Sequence, residues 1–221
     1  LPETQALQDD DFANPGMLWV ELGERLWNEP AAGVSCAGCH GAAETAMRGV
    51  GARYPQWSGE AERVVSLEQQ INLCRTQRQG EAAFEMESEP MLALSAYVMH
   101  QSRGLPMSVA TDGPAADSFA RGKAYFETRR GQLDLSCANC HVEHAGRRLR
   151  GELISQGQVN GFPVYRQIWQ EMGSVGRTIA WCNDAVRAEP RAIGSQEYID
   201  LELYLRARGN GLPIETPAVR R

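Results

Sequence analysis

The sequence has no apolar run that approaches the roughly 18 residues a membrane-spanning helix requires. It also lacks an excess of basic residues, because 28 Asp and Glu outnumber 22 Lys and Arg and give a formal charge of −6. This acidic balance argues against nucleic acid or an anionic membrane surface as a partner. We therefore expect no membrane span, and we expect proteins or small molecules as partners.

Cysteine carries most of the information, because four of the six cysteines fall into two Cys-x-x-Cys-His motifs. The motif residues are Cys36, Cys39, His40, Cys137, Cys140 and His141. Two thiols at this spacing can add to the two vinyl groups of one haem, and the adjoining histidine is then placed beneath the iron. A zinc site or a thioredoxin-like pair is the alternative, but neither requires histidine directly after the second cysteine. The motifs predict two covalently bound haem c groups.

The predicted cofactor also indicates a compartment. No targeting segment is recognisable at positions 1–4, so we expect a mature chain whose leader has been removed. Covalent haem attachment takes place outside the cytoplasm, and this agrees with a cleaved leader. We expect the protein in the periplasm.

The sequence around the second motif repeats that around the first, which indicates an internal duplication. A helical stretch with glycine and an aromatic precedes each motif, at 22–27 and 121–126, and an amphipathic stretch follows each, at 91–98 and 198–205. Both halves then stop at Gly-Leu-Pro. We predict an all-α fold of two tandem class I cytochrome c-like domains, 1–107 and 114–221, joined near residues 108–113.

The remaining cysteines occupy equivalent places in the duplicate. Cys74 lies 23 residues before Tyr97, and Cys182 lies 22 residues before Tyr204. Each could supply the sixth ligand of an iron, and a thiolate there would stabilise ferric iron and bring nucleophilic sulfur to the haem edge. A Cys74–Cys182 disulfide and two buried inert thiols are the alternatives.

At this point the sequence resembles a known family, the dihaem SoxA subunit of the SoxAX cytochrome complex of bacterial thiosulfate oxidation. The resemblance covers most of the chain after about residue 30. It is carried by Ser-Leu-Glu-Gln-Gln-Ile-Asn-Leu-Cys-Arg-Thr at 66–76, by the segments 129–141, 154–158, 182–183 and 186–190, and by Leu-Pro-Ile-Glu at 212–215.

The resemblance implies an activity and its site. Together with a monohaem cytochrome, SoxX, such a subunit joins thiosulfate oxidatively to a cysteine of the carrier SoxYZ, as an L-cysteine S-thiosulfotransferase. The cysteine that matches Cys182 would ligate the active-site haem and is often a persulfide in the family. Cys74 would ligate the other haem, with His40 and His141 as the opposite ligands.

One departure concerns the arginine that would hold the thiosulfate dianion. The family pattern places it four residues before the ligating cysteine, where this chain has Thr178. Arg177 is one position further away and is our candidate, with Arg187 as the alternative. A planar guanidinium suits the task because it can bind two oxyanion oxygens together.

Two other functions remain open from the sequence. A dihaem thiosulfate dehydrogenase that forms tetrathionate would typically use methionine or lysine at one haem. A non-enzymatic electron-transfer cytochrome would be expected to have methionine or histidine at positions 74 and 182. Cysteine at both positions favours the thiosulfate-conjugating function.

The placement of Arg177 gives a first prediction. Replacing it with alanine should weaken thiosulfate turnover, because a positive charge near Cys182 would be lost, and should leave both haem spectra intact. Steady-state kinetics and visible spectra of the variant provide the measurement. Unchanged kinetics would move the role to Arg187 or to a partner residue.

Overall fold

The computed structural model describes residues 2–149 and 152–221. Two short helices lie at or just after the first motif, and longer helices precede and follow each motif. They are α1 (Pro2–Asp9), α2 (Met17–Asn28), α3 (Cys36–His40), α4 (Ala43–Ala46), α5 (Leu67–Cys74), α6 (Glu89–His100), α7 (Ala116–Glu127), α8 (Val175–Ala185) and α9 (Gln196–Ala207). Short 3-10 turns (Gly51–Arg53, Gly113–Ala115) and π-helical turns (Arg75–Gln79, Asn139–Glu143) complete the helical part.

Each half is built on two helices whose backbones nearly touch. A Cβ on Gly23 of α2 would lie 2.2 Å from the carbonyl oxygen of Ala93 in α6, closer than atoms can approach. In the second half, a Cβ on Gly122 of α7 would lie 1.9 Å from the carbonyl oxygen of Asp200 in α9. Glycine at both positions therefore lets each helix pair cross without a gap.

Aromatic rings lie beside both crossings. The Trp27 and Tyr97 ring centroids are 6.1 Å apart in the first half, and those of Phe126 and Tyr204 are 5.2 Å apart in the second. Trp27 and Phe126 are almost fully buried. Tyr97 and Tyr204, from which the positions of the two lone cysteines were counted, thus occupy matching places in the two helix pairs.

The expectation of an all-α fold is wrong. Antiparallel hairpins join β1 (Gln56–Ser58) to β2 (Arg63–Val65) and β3 (Arg148–Leu149) to β4 (Glu152–Leu153). A third hairpin joins β5 (Val164–Arg166) to β6 (Glu171–Gly173), and β7 (Ala218–Arg220) pairs in parallel with β5 to give the order β6-β5-β7. Strands of two or three residues are too short to show the alternation by which a sequence reveals a strand. The fold is mixed α/β, with cytochrome c-like helix pairs.

Two of these hairpins are part of the repeat. Each leads directly into a serine that caps a helix: Ser66 after β2 and Ser174 after β6, both at φ −77° and ψ 170°. Their hydroxyls accept from the main-chain N–H of Gln69 and Arg177, respectively. Satisfying these otherwise unpaired donors fixes where the two following helices, α5 and α8, begin.

The two halves share their apolar interior. The largest buried cluster joins residues of the first half to Met172 and Ile214 of the second. A smaller cluster joins Val64 and the linker residue Val109 to Leu203 of α9. The domain limits 1–107 and 114–221 stay a prediction.

The first helix packs on the last strand. Gln8 Oε1 accepts from Val219 N at 3.2 Å and from Arg220 Nη1 at 2.7 Å. Asn14 Nδ2 donates to the carbonyl of Pro217 at 2.9 Å. These contacts place the amino-terminal segment against the three-stranded sheet.

The helix crossing yields a stability prediction. Gly122→Ala should lower the free energy of unfolding by about 1–3 kcal/mol, because the methyl group forces α7 away from α9. Thermal unfolding of the haem-containing protein measures this. Gly59→Ala is the control, since a Cβ there meets nothing within 4 Å, and it should leave the unfolding temperature nearly unchanged. Equal unfolding temperatures of the Gly122 variant and the parent would contradict the crossing as described.

Candidate haem and thiol sites

The first motif forms the short helix α3 and is held against α2. The Ser35 hydroxyl caps it by accepting from Gly38 N at 2.9 Å. Trp27 Nε1 donates to the carbonyl of Gly41 at 3.1 Å, and its ring centroid lies 5.7 Å from that of His40. The motif is thus anchored at both ends, although none of its residues is buried.

The second motif is fixed by a polar network. Ser136 N donates to Asn139 Oδ1 at 2.9 Å, and Asn139 Nδ2 donates to the Glu143 carboxylate at 3.0 Å. His141 Nδ1 lies 2.9 Å from the carbonyl oxygen of Ser155. A carbonyl only accepts, so Nδ1 carries the proton and the Nε2 lone pair is left for a metal. Burial lowers the pKa of His141, which favours this neutral form.

The two remaining cysteines take equivalent positions. Cys74 is eight residues after the capping serine of α5, and Cys182 is eight residues after that of α8. The Cys74 thiol helps to raise the pKa of Cys36, after the larger effect of burial, so it lies near the first motif. Cys182 is influenced in the same way by Cys137 and Cys140 of the second motif.

All six thiols are free, so the structure contains no Cys74–Cys182 disulfide. Instead, Cys74 lies near the first Cys-x-x-Cys-His motif and Cys182 lies near the second. This is the arrangement that axial ligation of two separate haems requires. The individual ligand assignments stay a prediction.

The surroundings of Cys182 and His141 fit a haem. Cys182 has an exposed surface, yet protein encloses it closely enough that burial, followed by the nearby Cys137 thiol, raises its pKa to about 11. On the His141 side an open cavity of about 320 Å³ is lined by Gln156, Gln158 and Arg208, among others.

The donor set also fits the cofactor. Two thiols per motif suit the vinyl groups, a histidine nitrogen suits one face of the iron, and a cysteine sulfur suits the other. Among residues 2–149 and 152–221, no three His, Cys, Asp or Glu side chains converge as a metal-ion site. Nor does any helix in these ranges have the length and apolarity to cross a membrane.

The predicted arginines are engaged elsewhere. Arg177 Nη1 donates to Glu171 Oε2 at 2.9 Å, and the guanidinium lies 4.3 Å from the centroid of the Trp169 ring. At about 100° per residue, five residues make one full helical turn plus about 140°, so the Arg177 side chain points about 140° away from that of Cys182. Thr178 is four residues from Cys182, which is one full turn plus about 40°, so the Thr178 side chain lies on nearly the same side of the helix as Cys182. Arg187 reaches Gln132 at 3.5 Å. The roles of Arg177 and Arg187 in substrate capture stay predictions.

Sequence reasoning missed two arginines near the second motif. Arg166, at the end of β5, lowers the pKa of Cys182 against the effect of burial. Arg208 lines the cavity beside His141, where its guanidinium lies 4.8 Å from the Phe126 ring centroid. Neither is close to a motif in sequence. A different feature could have been predicted: a serine eight residues before each lone cysteine indicates that a capped helix begins there.

Comparison with known proteins gives a consistent result. Residues 22–107 match the family model of the SoxA/TsdA cytochrome c domain. The chain is 44% identical to the L-cysteine S-thiosulfotransferase subunit SoxA of Rhodovulum sulfidophilum, over 99% of this chain and 77% of the relative. It is 43% identical to the subunit of the same name from Pseudaminobacter salicylatoxidans, over 99% of this chain and 78% of the relative.

A solved structure agrees over the full length. The crystal structure of SoxXA from P. pantotrophus matches with a TM-score of 0.96 and 38% identity, over 100% of this chain and 84% of the matched chain. The matched region therefore spans the positions of both motifs and of both lone cysteines in this chain. A cytochrome c domain implies covalently bound haem c.

Proposed function

The chain belongs to the SoxA family, and from this we propose that it is the cytochrome subunit that joins thiosulfate to a cysteine of a sulfur-carrier protein, with SoxX as the electron-accepting partner and SoxYZ as the carrier. The observation that carries the proposal is the 44% identity over 99% of the chain to a relative named for this transfer. The enclosed thiol of Cys182 beside the second motif supplies a site for it. We place this activity in the periplasm.

Two haem c groups are proposed as the cofactors. Cys36 and Cys39 would hold the first, with His40 and Cys74 as its axial ligands. The second would be held by Cys137 and Cys140, with His141 and Cys182 as its axial ligands. When bound, haem accepts single electrons and passes them on. A thiolate ligand favours the ferric state compared with methionine.

The reaction balances as an oxidative coupling. Thiosulfate and a carrier thiol give an S-thiosulfonate, R–S–S–SO3⁻, with loss of one proton and two electrons. The S–H bond breaks and one S–S bond forms, and the electrons leave one at a time through the partner cytochrome. The chain must therefore hold a dianion close to a reactive sulfur while a carrier cysteine approaches.

Cys182 is proposed as that sulfur. It lies near the two cysteines of the second motif, so the sulfur that would ligate the second haem is also the sulfur that thiosulfate would meet. Its pKa, raised to about 11 by burial and by Cys137, disfavours a free thiolate in the haem-free chain. Iron would supply the compensating positive charge and keep the sulfur anionic.

The ligand assignment predicts low-spin iron in both halves, with His/Cys coordination by His40 with Cys74 and by His141 with Cys182. The reason is that the two thiols have equivalent positions in the capped helices α5 and α8, each eight residues after the capping serine. Electron paramagnetic resonance of the oxidised protein is the measurement. A methionine-type signal at either haem would contradict it.

Replacing each of the two cysteine ligands in turn tests the proposed function. The native protein should reduce its partner cytochrome only when thiosulfate and a carrier thiol are both present. Cys182→Met should keep both covalent haems and abolish conjugation, because the reactive sulfur is replaced by an inert thioether. The matched control, Cys74→Met, should retain conjugation and raise the potential of the first haem.

Two results would contradict this assignment. Full activity of the Cys182 variant would exclude Cys182 as the reactive sulfur. Loss of activity confined to the Cys74 variant would move the reaction to the first haem.

A further inference from the structure

A cation and two tryptophans form a cluster beside Cys182. The Arg166 guanidinium carbon lies 5.2 Å from the centroid of the Trp169 ring and 5.1 Å from that of Trp181. The two rings stand at 88° to each other with centroids 6.2 Å apart. The guanidinium is therefore held between two nearly perpendicular walls, in the range of cation–π attraction.

The strand and the helix that carry this cluster fix it near the thiol. Arg166 is the last residue of β5, the central strand of the three-stranded sheet. Trp181 lies in α8 and directly precedes Cys182 in the chain. The Arg166 Nη1 also donates to the main-chain oxygen of Arg221 at 3.3 Å, which further restricts the side chain. Because the Arg166 guanidinium lies 5.1 Å from the ring centroid of the residue next to Cys182, the cluster borders that part of α8.

We propose that Arg166, held against Trp169 and Trp181 beside Cys182, binds the sulfonate oxygens of thiosulfate, an inference that rests on the proposed function. Arg177 has a different place in the cluster. It pairs with Glu171 at the start of β6 and interacts electrostatically with the carboxylate of Glu87. The Arg177 guanidinium also lies 4.3 Å from the Trp169 ring centroid and so helps to hold that ring, whereas Arg166 lies against Trp181, the neighbour of Cys182.

The physical chemistry of the cluster suits an oxyanion. A guanidinium offers five N–H donors in a planar fork that matches two oxygens of a sulfonate. Tryptophan walls exclude part of the water, so each charge-assisted hydrogen bond gains strength. Stacking also fixes the side chain before the anion arrives, which reduces the entropy lost on binding. The sulfonate end would then be held, and the outer sulfur would be directed to Cys182.

Equilibrium dialysis of labelled thiosulfate against the oxidised, haem-containing protein tests this without a carrier and without turnover. Arg166→Gln should weaken binding about ten- to a hundredfold, the usual effect of removing a charged partner from a hydrogen-bonded anion. Arg166→Lys should fall in between, because an ammonium keeps the charge but not the fork. Visible spectra of both haems should stay as in the parent.

Lys123→Gln is the matched control, since it removes the same charge from an exposed position on α7. Its affinity should equal that of the parent. Parent-like binding by the Arg166→Gln variant, or an equal loss in the Lys123 variant, would overturn the assignment of Arg166, as would loss of binding in an Arg177 variant alone. If the parent binds thiosulfate through Arg166 but does not transfer it to a carrier, only the proposed function fails.

Discussion

Both halves of the molecule depend on one contact, the approach of two helix backbones at a glycine. At Gly23 and at Gly122 a side chain of any size would meet a main-chain carbonyl of the opposite helix. The crossing sets the distance between the helix before each motif and the helix after it. The ring pairs and the motif loops are positioned relative to these helices, so the placement of both motifs depends on two residues that have no side chain.

The sequence predicted those features that depend on a fixed motif spacing or on a long periodic pattern. The motifs, the helix pairs and the equivalence of Cys74 with Cys182 could be predicted, because each has a fixed spacing or a repeat partner. The hairpins β1–β2 and β5–β6 could not, because three-residue strands contain too few positions for a period of two. Yet it is these hairpins that lead into the capped helices and so give the two cysteines their common position.

The arginines show a second limit of sequence reasoning. Arg177 is five residues from Cys182 and was the natural candidate, but helical rotation turns it towards Glu171. Arg166 is sixteen residues away, and the turn from β5 through β6 into α8 brings it back to the thiol. Two residues of a helix lie on the same side only when their spacing is close to a whole number of turns. Which strands pair, and therefore which distant residues come together, cannot be read from a single sequence.

The packing of α1 on β7 makes the structure of α1 depend on a segment far away in the sequence. The hydrogen bond between Gln8 and Val219 joins residues 211 positions apart. An eight-residue helix is too short to persist in water alone. α1 therefore keeps a lasting structure only where β7 is folded for it to pack on. Loss of β7 would expose α1 to proteolytic enzymes, so resistance of α1 to cleavage reports that β7 is in place.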